Sequence, residues 1–563
     1  MPSGPTVTWN ERLALSLGEF STLTQGLDYA AQGETGVNFY SSLGRLEHSL
    51  TYRELRQRAL RAGGQLRGLE LRRGEHVALV AESSPGFLVL FYACQYAGLV
   101  PCLLPFSLFP GGKQAYIDQL ANMMTSARVA AAFAPASVRD CVDAAAPSRT
   151  RTMSFEEVFS APASGELQPA RSDEMAYVQY SSGSTSQPKG VLISQSAVCA
   201  NARAILQSGM KFREGDRSFS WLPFYHDMGL VGFVVSTMFS QCSVDYISPA
   251  TFAKRPLLWM ELMSANRGTV VYSPAFAYRL VARRLKLDDR YDLSAWRVAG
   301  IGGDMIRPDI IEEFCSVMQP HGFRRQAFMP SYGMAEMTLA ISIADPDTPP
   351  ATAAIGISSM ASPPDVRRQY VACGKPLPSV MVEIVDTDGA PLPEGGVGRL
   401  RVRGPSMMSG YLDDGRVDAG AIADDGFFDT GDIGFLHQGQ VVITGRAKDL
   451  ILIRGRNLWP QDIEWALERV EPLTTGSVAA FAVDGEDADM LVVLAQYRAI
   501  EDSEACAGLR TRLATVLQQH FGIGGKIVFV PPRSLPFTSS GKLSRAKARA
   551  LYLDGHYLEN RAE

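Results

Sequence analysis

Along the first two hundred residues the apolar positions change period several times, and each change marks an element. Residues 51–64 (TYRELRQRALRAGG) place apolar and polar positions on opposite faces at helical spacing. Thr51 supplies the cap and the glycines the expected end. Short continuous apolar runs at 77–80, 99–104 and 129–133 then alternate with helical stretches. That alternation predicts buried strands between helices, the α/β pattern. Residues 87–106 (FLVLFYACQYAGLVPCLLPF) form an apolar run long enough to cross a bilayer. Gln95, Gly98 and Pro101 interrupt it, so it reads as a buried helix followed by a buried strand, with no membrane span. Residues 160–172, rich in Pro, Ser and Ala, read as a surface connection. No fixed-period repeat is visible, which sets aside solenoids and propellers.

From about residue 380 the texture changes. VMVEIVDTDG, GRLRVRG, GFFDTGDIGFL and GQVVITGR are short strand-like runs punctuated by Gly and Asp. They predict antiparallel sheet or barrel. After residues 445–449 comes a further mixed α/β stretch. The expected division is a large domain over 1–447 and a small one over 448–563.

Composition narrows the function. A chain of 563 residues is long enough for roughly three or four compact units. With 46% apolar and 20% charged residues it is globular rather than disordered. Lys plus Arg is 54 against 59 Asp plus Glu, a net charge of −5. Such a balance argues against a dedicated nucleic-acid binder. The 8 cysteines stand singly, without CxxC spacing, and the 7 histidines form no cluster with them. Neither a disulfide framework nor a structural zinc site is expected, and a cytoplasmic location fits. The first twenty residues lack a basic stretch followed by an apolar one, so no signal peptide is expected.

The first chemical signal lies between two strands, 176–180 and 191–193. There the chain reads Ser181-Ser182-Gly183-Ser184-Thr185-Ser186-Gln187-Pro188-Lys189-Gly190. Small residues in a row let backbone N–H groups converge on an anion, hydroxyls add donors, and Lys189 adds a point charge suited to phosphate. The spacing is not that of a Walker A loop, and neither GxGxxG nor GxSxG occurs in the chain. A flexible hairpin turn is the bland alternative, which the Pro-Lys-Gly ending and flanking strands disfavour.

YSSGSTSQPKG resembles the signature loop of the adenylate-forming superfamily: acyl-CoA synthetases, luciferases, peptide-synthetase adenylation domains and fatty acyl-AMP ligases. Further blocks stand in that superfamily's order: WLPFYHDMGL (221–230), PSYGMAEMTL (330–339), FDTGDIG (428–434), GRAKDLILIRGRNLWPQDIE (445–464) and SSGKL (539–543). The resemblance implies a large N-terminal domain of sheets flanked by helices plus a distorted barrel, and a small mobile α+β C-terminal domain. It implies that ATP activates a carboxylate as acyl-adenylate with loss of pyrophosphate.

Each block then implies roles. The loop with Ser181, Ser182, Gly183, Ser184, Thr185 and Lys189 would hold the β- and γ-phosphates. Glu336 would carry Mg²⁺, with Thr185 as a second ligand. Adenine would lie between Gly302-Gly303-Asp304 and Ser331-Tyr332-Gly333-Met334. Asp432 would accept from the ribose hydroxyls, and Arg446 would donate to ribose or phosphate. Lys542 would bridge the carboxylate and the α-phosphate. His226 would border the acyl carboxylate, where positioning is preferred over proton transfer. Lys448 or Asp449 would be the hinge. A surface acid at 336, a turn residue at 432 and a solvated lysine at 542 are the bland readings. The apolar run 228–239 serves equally as helix core or as wall of an acyl pocket.

Within the superfamily the chain most resembles fatty acyl-AMP ligases, which pass their acyl group to the phosphopantetheine arm of an acyl carrier protein. STLTQGLDYAAQGETGVNFY (21–40) and WLPFYHDMGLVGF (221–233) look like that branch. The stretch between Glu336 and Gly374 is longer than in CoA ligases, and 341–372 is the candidate insertion that restrains domain rotation. Arg454-Gly455-Arg456 stands where CoA ligases offer a smaller pantetheine segment. A medium- or long-chain fatty acid is the expected substrate. The rival readings are a fatty acyl-CoA ligase, an amino- or aryl-acid adenylating enzyme, and a nucleotide-binding homologue without catalysis.

Overall fold

The computed structural model describes residues 13–106, 112–181, 188–286, 288–346, 348–355, 368–453, 456–483, 490–537 and 542–557. Two large sheets carry the N-terminal body. The first orders eight strands as Arg416–Asp418, Gly410–Asp413, Lys189–Ser194, Met175–Ser181, Val100–Leu104, His76–Val80, Ala131–Ala134 and Arg151–Ser154. The last five are parallel and the other three join through antiparallel pairings. The second orders nine: Lys375–Pro376, Ala340–Ile343, Phe328–Gly333, Val298–Ile301, Val270–Ser273, Arg217–Ser220, Ser243–Tyr246, Gly36–Tyr40 and Leu46–Thr51. It is parallel through its middle and antiparallel at both ends. Residues of both sheets share one apolar core with the helices Pro85–Ala97 and Gln195–Ala204. Sheets buried on both faces need continuous apolar strands, which is why the runs at 77–80 and 99–104 carry no alternation.

The long apolar run divides as expected, into helix Pro85–Ala97 and strand Val100–Leu104, both buried throughout from Phe87. Among the described residues no helix is long and apolar enough to cross a membrane. One expected boundary differs. The helix opened by Thr51, whose side chain accepts from the Glu54 N–H in a capping box, does not close on Gly63-Gly64; it runs Tyr52–Arg67 and ends at Gly68. A Cβ on Gly63 would lie 2.9 Å from Leu167 Cδ2 and 3.4 Å from the Ala93 carbonyl oxygen. The glycines therefore admit a close neighbour rather than stop the helix.

The punctuated strands after 380 form a four-stranded antiparallel sheet of Met381–Val385, Gly398–Arg403, Phe428–His437 and Gln440–Arg446. The stretch expected as an insertion begins inside the nine-stranded sheet, where Ile341 and Ile343 are core residues. Only later does it form an antiparallel pair, Thr352–Ile355 with Arg368–Val371. Residues 356–367 lie outside the described residues. Past Asp449 come a short hairpin, helix Pro460–Leu467, and a sheet of Val478–Val483, Met490–Gln496 and Lys526–Val530. Helices Ser503–Phe521 and Arg545–Leu553 contribute to two apolar clusters that draw only on residues after 450.

One buried ion pair, Arg297 with Asp216, lies inside the large body. Arg297 and Asp216 are 5% and 3% exposed, and Arg297 Nε donates to Asp216 Oδ1 at 2.8 Å. Thr269 Oγ1 donates to the same carboxylate at 2.8 Å, while an Arg297 terminal nitrogen donates to the Met210 carbonyl at 3.0 Å. Removing one member leaves a buried charge without compensation, a loss of roughly 3–5 kcal/mol. Asp216→Ala should therefore lower unfolding stability by about that amount in denaturant titration. A loss under about 1 kcal/mol would count against this account.

Candidate active site

Two cavities, of ≈ 580 and ≈ 300 Å³, share walls: Gly303, Ser331, Tyr332, Gly333, Arg446 and Lys542 line both. Apolar side chains line part of the larger one, among them Ile205, Met210, Phe233, Leu339 and Ile343. Two π-helical segments, Ile205–Gly209 and Leu230–Val235, contribute to that wall. The wider turn of a π-helix is frequent where a helix borders a site. The run 228–239 is divided between core and cavity wall. Leu230, Val231, Val235, Met238 and Phe239 are core, while Met228, Gly232 and Phe233 face the cavity.

The charged part of the cleft is assembled from distant strands. Lys189 starts a strand and pairs across a hairpin with Ser181. Its Nζ lies 4.6 Å from the Tyr411 ring centre. Tyr411 reaches the cleft because Gly410–Asp413 pairs antiparallel with Lys189–Ser194. Its hydroxyl donates to Glu336 Oε1 at 2.9 Å. Glu336 sits on the 3₁₀ turn Ala335–Met337 at 8% exposure. Burial pushes its carboxyl above the usual range, against hydrogen bonds from its own N–H and Tyr411 and the charge of Arg446. Thr338, next to that turn, takes φ +68, an uncommon conformation for a β-branched residue, and donates to the Ser406 carbonyl at 2.7 Å.

Asp432 and Arg446 face each other as cross-strand partners on the four-stranded sheet. Arg446 Nε lies 3.2 Å from Asp432 Oδ1, and the Tyr332 hydroxyl donates to Oδ2 at 2.6 Å. Burial raises the Asp432 carboxyl, opposed by Arg446, Tyr332 and Lys542. Each oxygen keeps a lone pair for a further donor. Gly302 is buried behind this wall rather than lining it, since a Cβ there would meet Ser331 Oγ at 2.6 Å. Gly303 and Asp304 do line the smaller cavity.

Asp227 completes the other side. Its Oδ1 is 2.7 Å from His226 Nδ1 and accepts the Met228 N–H at 2.7 Å. The same N–H is 3.2 Å from Nδ1. The shorter bond belongs to the carboxylate, so the ring donates Nδ1–H to Asp227 and Nε2 is its basic atom. Burial alone would raise the Asp227 carboxyl; the His226 ring and the charge of Lys542 reverse this and hold it below the usual range. Lys542 thus acts electrostatically on Asp227 and Asp432 together. Lys448 lines the larger cavity and Asp449 the smaller, both on the 3₁₀ turn Ala447–Asp449.

The structure therefore gathers Ser181, Lys189, His226, Gly303, Ser331, Tyr332, Gly333, Met334, Glu336, Arg446, Lys448 and Lys542 around one cavity, with Asp304, Asp432 and Asp449 on its neighbour. Ser182, Gly183, Ser184 and Thr185, and likewise Arg454 and Gly455, lie outside the described residues. Asp227 and Tyr411 were not among the expected residues. Asp227 adjoins His226 in a quoted block. Tyr411 carries no motif, and strand pairing alone brings it in.

Known proteins resemble this chain along nearly its whole length. A family model described as AMP-binding enzyme matches residues 30–412. A Caulobacter vibrioides protein named "Putative acyl-CoA synthetase" is 42% identical over 98% of both chains. The medium-chain-fatty-acid–[acyl-carrier-protein] ligase JamA of Moorena producens is 31% identical over 96% of both. A solved structure from studies of fatty acyl-adenylate ligases of E. coli and L. pneumophila superposes with TM-score 0.91 at 39% identity, covering 96% of this chain and 100% of that one.

The Tyr411 hydroxyl is one of the groups pulling the Glu336 carboxyl down. Without it the group stays protonated to higher pH, so the acidic limb that depends on its ionisation moves up. Tyr411→Phe should move the acidic limb of the ATP-dependent activity to higher pH in a pH–rate profile. Coincident limbs for variant and wild type would remove the bond from the account.

Proposed function

The chain belongs to the AMP-binding enzyme family, and we propose that it activates a medium- or long-chain fatty acid as acyl-adenylate and passes the acyl group to the phosphopantetheine thiol of an acyl carrier protein. The observation that carries this reading is the make-up of one cleft: an apolar wall adjoining a cluster of Lys189, Arg446 and Lys542. An alkyl chain suits the former and a carboxylate meeting phosphates the latter.

In the first step a carboxylate oxygen of the acid bonds to the α-phosphorus of ATP. The bond to the bridging oxygen breaks, and pyrophosphate leaves with the electron pair. Lys542 spans the two reacting anions. Lys189 with the loop that begins at Ser181 holds the outer phosphates. Tyr332 and Asp304 flank the adenine, and Asp432 accepts from the ribose. Glu336 suits Mg²⁺, a hard cation that takes one carboxylate together with substrate phosphates and neutralises them. Its burial, with no cationic side chain in bonding contact among the described residues, fits such a role. In the second step the thiol sulfur bonds to the acyl carbon and AMP departs. Rotation about Lys448 or Asp449, between domains 1–447 and 448–563, would exchange the two settings. A cytoplasmic setting suits both reactants.

A second reading, fatty acyl-CoA ligase, is favoured by the name of the Caulobacter relative. The two acceptors present the same thiol, so only what surrounds its path can separate them. Mass spectrometry of products from ATP, an acid panel, CoA and a phosphopantetheinylated carrier should find acyl-carrier and little acyl-CoA. Efficient acyl-CoA formation would move the assignment to the ligase of CoA.

Lys542→Ala removes a cation that acts on Asp227 and Asp432 together. Loss of such a transition-state donor should slow acid-dependent pyrophosphate release by about 100- to 1000-fold with the fold intact. Near-normal release would refute the role.

A further inference from the structure

We propose that Arg307 and Glu468 are positioning residues for Lys542: their ion pair clasps the C-terminal part onto the body in the setting that adenylates. The inference rests on the adenylation reading above. Arg307 precedes the body helix Pro308–Met318, and Glu468 follows helix Pro460–Leu467 of the C-terminal part. They are 161 residues apart, and the guanidinium donates to Glu468 Oε2 at 2.8 Å. Their side chains are 7% and 5% exposed. The guanidinium also lies 5.0 Å from the Trp465 ring centre, one turn back on the same helix. Beside this clasp, Arg279 donates to Thr475 Oγ1 at 2.7 Å.

From Glu468 a short path of bonds leads to the lysine's own segment. Glu464, also on helix Pro460–Leu467, accepts twice from Arg545, at 2.8 and 2.7 Å, and takes the Ala480 N–H at 3.0 Å. Arg545 donates in addition to Asp449 Oδ2 at 2.8 Å. Arg545 stands three residues beyond Lys542, which is therefore carried on a segment anchored to the clasped helix. The position of the lysine relative to the cleft is set by whatever fixes that helix to the body, and the buried pair does so with directional bonds. Misplacing a catalytic group by about 1 Å costs rate without loss of substrate binding.

Glu468→Ala tests this without stranding a charge, since Arg307 keeps Asp309 at 3.0 and 2.8 Å. Glu468→Lys is the stronger variant, because it opposes two cations across the seam only when the seam is shut. Pyrophosphate release with dodecanoate should fall about tenfold in the first and further in the second. KM for ATP and dodecanoate should stay unchanged, so that kcat alone falls. Consumption of supplied dodecanoyl-adenylate with pantetheine, above the rate without enzyme, should remain at the wild-type level. Equal losses in both half-reactions, or undiminished pyrophosphate release by Glu468→Lys, would overturn the clasp. Wild-type protein that releases no pyrophosphate with any acid would overturn the adenylation reading and the clasp with it.

Discussion

A carboxylate that approaches a phosphate to bonding distance meets like charge, worth about 4 kcal/mol per pair of unit charges at 4 Å in a partly shielded site. The cleft can host such an encounter only by gathering cations, and the chain draws them from three distant stretches. Lys189 comes from a hairpin strand, Arg446 from the end of the four-stranded sheet, and Lys542 from the last quarter of the chain. Each is held by a different device. Lys189 rests over the Tyr411 ring, Arg446 pairs across strands with Asp432, and Lys542 depends on the anchored Arg545. Two sheets with a common core bring the first two together, whereas the third requires the C-terminal part to be seated.

The carboxylates of the cleft fall into two electrostatic kinds. Asp227 is held below the usual range against burial by His226 and Lys542. Glu336 and Asp432 are left above it, with burial outweighing their hydrogen bonds and cations. An under-compensated buried carboxylate gains from any donor or cation that arrives with a ligand. The two raised groups are thus left with uncompensated burial, whereas Asp227 is compensated by its partners. Its charge serves the neighbouring ring, fixing the tautomer of His226 rather than waiting for substrate.

Much of this was legible along the chain, and the rest was not for identifiable reasons. Strands buried on both faces announced themselves as unbroken apolar runs, as at 99–104. The spacing of Ser181 to Lys189, and of Asp432 before Arg446, survives in one dimension because a single hairpin joins each set. Gly63 and Gly64 misled the reading, since glycine signals an end and a close approach with the same letter; only Leu167 and Ala93 on the facing elements decide between them. Tyr411 was invisible because its partner Glu336 lies 75 residues away and a sheet pairing joins them. Arg307 and Glu468 were invisible for the same reason at greater distance. Local pattern carries periodicity and turns, while side-chain pairing across elements is a property of the assembled fold.

The chemistry of the seam bears on how firmly the two parts can be joined. A seam of apolar side chains would stabilise closure in proportion to area and would expose that area each time it opened. Among the described residues the joint includes Arg307–Glu468, Arg279–Thr475, the Gln461 bond to the Thr444 carbonyl and Trp465 beside the Arg307 guanidinium. A buried ion pair loses hydration in forming, and the gain from mutual attraction often does no more than offset it. Glu468 is consistent with that balance, since burial pushes its carboxyl up to about 7 even with Arg307 in contact. Such a joint is demanding in geometry and modest in net free energy. Water solvates both partners again on opening, so release costs little, while closure in any other register leaves a charge unpaired. On the reading proposed above, a part that seats Lys542 accurately and then withdraws it is better served by that combination than by a large apolar interface.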